Sequence, residues 1–121
     1  MSFKEHLKRA VTETPGALMC TLMGKDGIAV DTFETDTSVE RDVATSTIEL
    51  TSLIAQVHAS TAGLKSGALK ELVVGGQEMM AIVRPLTDEY FLALLMDSDG
   101  NAGKGRYLLR VIAPRLVEEL A

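Results

Sequence analysis

One cysteine in 121 residues, Cys20, leaves no intrachain disulfide to staple the fold. Set in the apolar run ALMCTLM with no histidine or cation beside it, that cysteine reads as a small buried hydrophobe, not a reactive thiol. Tryptophan is absent, aromatics make up 4% of the chain, and the 12 lysines and arginines are dispersed within a net charge of −5. Nucleic acid binding needs a basic face and, for single strands, aromatic platforms, so this composition argues against nucleic acid as a partner. No apolar run approaches the roughly 20 residues needed to span a bilayer. The N-terminal MSFKEHLKRAVTETP alternates charged with apolar positions, unlike a signal peptide. A cytoplasmic protein without membrane insertion is expected.

Groups that carry chemistry are equally sparse. His6 and His58 fall on different helical segments with no neighbour at metal-ligand spacing, and both read as solvated or capping residues. Glu118-Glu119 and Glu40-Arg41-Asp42 read as solvated helix faces rather than paired catalytic carboxylates, and no serine has a nucleophile-elbow context. The expectation is a protein with no metal, no cofactor and no catalytic residue, hence not an enzyme.

What the chain does have is 46% hydrophobic residues, enough for one core and too little for two ordinary domains, so residues 1–121 are read as a single domain. Phe3, Leu7, Ala10 and Val11 recur at helical spacing until Pro15 and Gly16 stop the pattern. ALMCTLM and IAVDTF then flank Asp26-Gly27, a hairpin signal because glycine accepts positive φ. The first of these strands is central and the second more exposed. The longest helical pattern is expected to run from about Val39 to Leu64, with Ser38 offering a cap. LKELVV, MMAIVRPL and YFLALLM follow as three strands turning at Gly75-Gly76 and around 87–89. A last helix carries Leu108, Val111, Ile112, Leu116 and Leu120 on one side, and Pro114 within it should delete a backbone bond and kink it.

The connector DSDGNAGKGR admits three readings. Asp97, Asp99 and Asn101 match the first, third and fifth places of a calcium loop, but Ala102 stands where the turn glycine belongs and Leu108 where the bidentate glutamate belongs. Gly100, Gly103 and Gly105 around Lys104 suggest a phosphate cradle, yet Lys104 is followed by Gly105 and not by serine or threonine. A strand-to-helix reversal with a capped helix start fits best, the glycines supplying unusual backbone angles.

On the long helix, Val43, Leu50, Leu53, Ile54, Val57, Thr61 and Leu64 form a stripe of core character. A second stripe, Ala44, Ile48, Thr51, Ala55, Ala59 and Ala62, widens the apolar surface beyond what one core-facing side requires. It implies either a symmetric helix-to-helix contact or a wide burial inside the chain. LKELVV, if it lies at a sheet edge, offers unpaired amides to a second copy. Ala44, Ile48, Thr51 and Ala55 with Glu71, Val73 and Val74 are therefore the expected interface of a homodimer.

The element order, the hairpin GALMCTLMGKDGIAVDTF and the segment ALLMDSDGNAGKGRYLLRVIAPRLVEEL resemble the Roadblock/dynein light-chain family, in particular its bacterial MglB-like members. Its first hairpin falls on Gly16 to Val30, and its N-x-G-x-x-R helix start on Asn101, Gly103 and Arg106. The resemblance covers nearly the whole chain. It implies an α+β fold of order αββαβββα, in which a five-stranded antiparallel sheet carries the long helix on one face and the terminal helices on the other. It further implies dimerisation through the third strand and the long helix, and a regulatory platform for a small Ras-like GTPase whose nucleotide cycle it stimulates. Glu40, Arg41, Thr45, Glu49, Ser52 and Gln56, polar positions on the outer side of the long helix, are the expected partner surface. Arg41 and Arg84 are the only arginines suited even remotely to act as a finger, so stimulation would work by reorienting the partner's own residues. Two alternatives stay open: a light-chain or scaffold subunit that binds a peptide or another Roadblock domain, and a small-molecule sensor.

Overall fold

Gly16 and Gly27, with φ of 87° and 90°, lie before the first strand and in the turn after it, in a computed structural model that describes residues 2–121 apart from the surroundings of Ala62 and Gly63. Helix α1 (Phe3–Glu13) leads into strands β1 (Ala17–Gly24) and β2 (Ala29–Glu34). Two helices follow, α2 (Asp36–Glu40) and α3 (Val43–Leu64), then β3 (Leu72–Gly75), β4 (Met79–Pro85), β5 (Tyr90–Asp97) and α4 (Ala102–Leu120). All pairings are antiparallel and the strand order is β2-β1-β5-β4-β3. The α+β architecture expected from the sequence is the one observed, with β1 and β5 interior and β2 and β3 at the two edges.

Strand alternation sorts the apolar residues between two layers. Cys20, Leu22, Ile82, Leu92, Leu94 and Met96 meet Leu7, Val11, Leu109, Ile112 and Leu116 of the terminal helices. Met19, Met23, Ala81, Val83, Phe91, Ala93 and Leu95 meet Val43, Leu50 and Ile54 of α3. Because both faces are covered, β1 and β5 read as unbroken apolar runs. Burial pushes the Cys20 thiol far above the ordinary range, which keeps it protonated and inert.

Several expectations are corrected by the structure. The long helical pattern is not continuous: α2 and α3 are separated at Arg41-Asp42, where Asp42 has φ 53°. Asp is among the few non-glycine residues that enter this left-handed region as single residues. The cap of α2 is Thr35, whose Oγ1 accepts from the Ser38 N–H at 3.2 Å while donating to the Leu18 carbonyl at 3.1 Å. Ser38 is buried and donates instead to Glu34 Oε2 at 2.8 Å. The break turns Val39 outward, 61% exposed, while Val43 enters the core.

Other side chains also depart from expectation. His6 is not solvated: only 3% exposed, it packs between α1 and α4 with its Nε2 3.8 Å from Glu119 Oε1. Leu64, expected in the core stripe, is 74% exposed, whereas the unanticipated Thr47 is buried. On α4, Leu109 and Ala113 are buried where Val111 is only half-buried, and the helix continues through Pro114.

The connector after β5 is a capped reversal. Asn101 Oδ1 accepts from the Lys104 N–H at 3.0 Å, and Asp97 Oδ1 accepts from Arg41 Nη1 at 2.6 Å, so two of the three candidate calcium ligands are already engaged. The glycines act differently from expectation, since Gly100, Gly103 and Gly105 are not in the positive-φ region. At Gly105 the reason is close approach: a Cβ there would lie 2.8 Å from Leu94 Cδ2, where α4 presses on the sheet. Asn101→Ala is expected to lower stability by about 1 kcal/mol through the lost cap, read as a small fall in thermal midpoint with the oligomeric state unchanged.

Candidate functional site

Helix α3 is apolar beyond what its own chain uses. Its 22 residues, VATSTIELTSLIAQVHASTAGL, contain one carboxylate, one histidine and no lysine or arginine. Yet among the described residues only Val43, Thr47, Leu50 and Ile54 are buried. Its hydroxyls are turned back on the helix: Thr47, Thr51 and Thr61 donate to the carbonyls of Ala44, Ile48 and His58 at 2.7, 2.7 and 2.9 Å. A threonine so satisfied presents mostly its methyl group, so the surface is less polar than the sequence suggests.

The second stripe lies outside the fold. Ala44, Ile48, Ala55 and Ala59 are exposed, Ile48 at 62%, and Thr51 is half-buried. The alternative of wide burial within the chain is thereby overturned: among the described residues no element of the same chain buries these positions. The Ala62 side chain lies outside the described residues. A groove of about 360 Å³ runs beside the stripe, lined by Lys25, Thr51, Ile54, Ala55, His58 and Ala59. A second, of about 220 Å³, separates Ser46 and Leu50 of α3 from Val74, Gly75 and Met79 of the sheet.

The two sheet edges differ in kind. On β2 the pairing skips Val30, forming a bulge, and the Thr32 N–H is taken by the Asp31 carboxylate at 2.9 Å, which Lys4 approaches at 3.4 Å. Bulges and charges of this sort blunt an edge against further pairing. Strand β3 has neither. Its sequence LVVG pairs in unbroken register with β4, and Val73 and Val74 are 42% and 36% exposed. Glu71, expected within that strand, lies just before it and holds Arg106 Nη2 at 2.7 Å. Its role in the chain is therefore to tie the edge strand to the start of α4.

Glu40, Arg41, Thr45, Glu49, Ser52 and Gln56 are all exposed, on the outer side of α2 and α3. The split at Asp42 places Glu40 and Arg41 on a different helix segment from the other four. Arg41 is anchored by Asp97, and Arg84 is half-buried on β4, so neither is a free finger. Among the described residues no group of three or more His, Cys, Asp or Glu could hold a metal ion, and no helix is long and apolar enough to cross a membrane.

The same architecture recurs in solved structures. MglC from Myxococcus xanthus is 42% identical, with 98% of this chain and 99% of that one covered and a TM-score of 0.72. An MglB with tetrameric arrangement is 22% identical over 95% of this chain and 85% of its own, at a TM-score of 0.81. A Roadblock/LC7 domain from Streptomyces avermitilis is 17% identical, covering 96% and 98%, at 0.66. No family model matches the sequence, and no curated protein does.

Proposed function

Because this chain belongs to the Roadblock/dynein light-chain family, alongside its bacterial MglB- and MglC-like members, we propose that it works as a homodimeric regulatory and scaffold module that binds a small Ras-like GTPase. The observation that carries the dimer is the uncovered apolar stripe of α3 on the sheet face beside a bare edge strand. A two-fold contact would bury Ala44, Ile48, Thr51 and Ala55 against their own copies, and strand addition at Val73 and Val74 would continue the sheet. Ile48, at 62% exposure, gains most from such burial, on the order of 1–2 kcal/mol per copy.

The GTPase surface in this reading is Glu40, Arg41, Thr45, Glu49, Ser52 and Gln56, which the dimer stripe leaves free. Regulation then proceeds without a catalytic side chain from this protein, by holding the partner's own groups in place, since Arg41 is committed to Asp97. Capture from the source cell, run in parallel with a GTP analogue and with GDP, is expected to retain a small GTPase in one nucleotide state. Equal capture in both states, or recovery only of larger proteins that are not GTPases, selects the scaffold reading instead. Glu49→Arg with Gln56→Arg should abolish the nucleotide-dependent capture while leaving the dimer intact.

A further inference from the structure

The exposed side of α4 from Lys104 to Arg115 is a second surface that, among the described residues, no other element of the chain covers. Lys104, Arg110 and Arg115 stand exposed along it, and among the described residues none of them forms an ion pair. Tyr107 lies between them, 52% exposed, with Lys104 Nζ 5.7 Å from its ring centre. The exposed carboxylates Glu118 and Glu119 stand at the C-terminal end of the same helix, so the cationic part of the face is its stretch from Lys104 to Arg115. The opposite layer carries the complement: Asp36, Glu40, Asp42 and Glu49 are exposed at α2 and the start of α3, unpaired among the described residues, and the one cation there, Arg41, is neutralised by Asp97.

The geometry points to a second copy of this chain as the occupant of the α4 face, docked through the acidic start of its long helix. The two charged surfaces lie on opposite layers of the fold, because α4 packs on one face of the sheet and α3 on the other. One molecule cannot satisfy both, so the contact is head-to-tail, and it extends as long as the rotation between successive copies does not close a ring. Tyr107 supplies a broad apolar contact at the centre of the cationic face, and the charges around it set the register and the rate of encounter. The stripe of α3 and strand β3 take no part, so stacking joins dimers or single chains alike. It does cover Glu40 and Glu49, which places stacking in competition with the proposed GTPase surface.

Sedimentation velocity tests this on the full chain in about 10 mM and about 1 M salt, where the Debye length is about 30 Å and about 3 Å. At low salt the mean mass is expected to rise steadily with protein concentration beyond that of a dimer, and at high salt to fall back to one. A dimer mass at every concentration and both salts overturns stacking but not the dimer; a monomer at high salt with growth at low salt overturns the dimer but not stacking. The Arg110→Glu/Arg115→Glu and Asp36→Lys/Glu40→Lys/Glu49→Lys chains should each fail to grow alone, because the first then presents two acidic faces and the second two basic ones. Mixed in equal amounts they should grow again. Circular dichroism melts matching the parent confirm that both variants fold, and failure of the mixture to associate overturns the assigned pair of faces.

Discussion

Ala55→Arg is expected to give a monomer at concentrations where the parent chain is a dimer. Ala55 is exposed on the single chain, so the substitution leaves the intramolecular core untouched. In the proposed dimer the same position is the close-approach point of two helices, where a long cation is both oversized and unpaired. Overpacking and an uncompensated charge together cost on the order of 3 kcal/mol, about a hundredfold in dimer Kd. Sedimentation velocity at micromolar concentration and about 1 M salt, which screens charge-driven stacking, reads the outcome. A variant that remains dimeric shows that α3 does not form the interface. Val74→Lys on β3 is the matching test of the sheet edge, where an added lysine opposes strand pairing.

The largest effect on folding is expected from Gly16→Ala. Gly16 has φ 87°, and a Cβ there would lie 2.6 Å from the Gly100 Cα, a backbone atom that no rotamer change can move. Left-handed strain costs about 1–2 kcal/mol, and the collision adds about 1–3 kcal/mol. For a chain of this size the sum lowers Tm by on the order of 10 °C. Gly27 is the internal control: its φ is 90°, but a Cβ there meets nothing within 4 Å. Gly27→Ala should therefore show the strain alone. Equal losses for the two variants, measured by thermal denaturation, would assign the whole effect to backbone angle and none to the packing of the α1–β1 corner against the β5–α4 connector.

That corner shows how unevenly the sequence reveals its own structure. Gly16, Asn101, Gly103 and Arg106 carried the family resemblance as letters at fixed spacing, and two of them have visible work: Asn101 caps α4, and Arg106 holds Glu71 beside the edge strand. Gly16 and Gly100 touch across more than eighty positions of chain, a relation that spacing alone does not express. The error over the long helix has the same origin. Val39 and Val43 are four residues apart and look like one apolar face. The break between them is held by Thr35 on Leu18 and by Arg41 on Asp97, partners supplied from other strands.

His6 was misread for a related reason. Four residues before Ala10 it belongs to the buried side of α1, but a histidine at such a place is buried only if another element covers it, and Glu119 comes from the far end of the chain. Thr47 was missed because a hydroxyl counts as polar in a pattern, although its bond to the Ala44 carbonyl removes that polarity.

The sequence by itself determined the order of the elements apart from the break between α2 and α3, the sheet with helices on both faces, and the surplus apolar stripe on the long helix, because these depend on periodicity and on turn residues that act over a few positions. Only the tertiary structure decided that the stripe stays uncovered, that β3 is a bare edge while β2 is blunted, and that acidic and basic surfaces face opposite ways. Those properties depend on which distant segments meet, and a local pattern carries no record of what covers it.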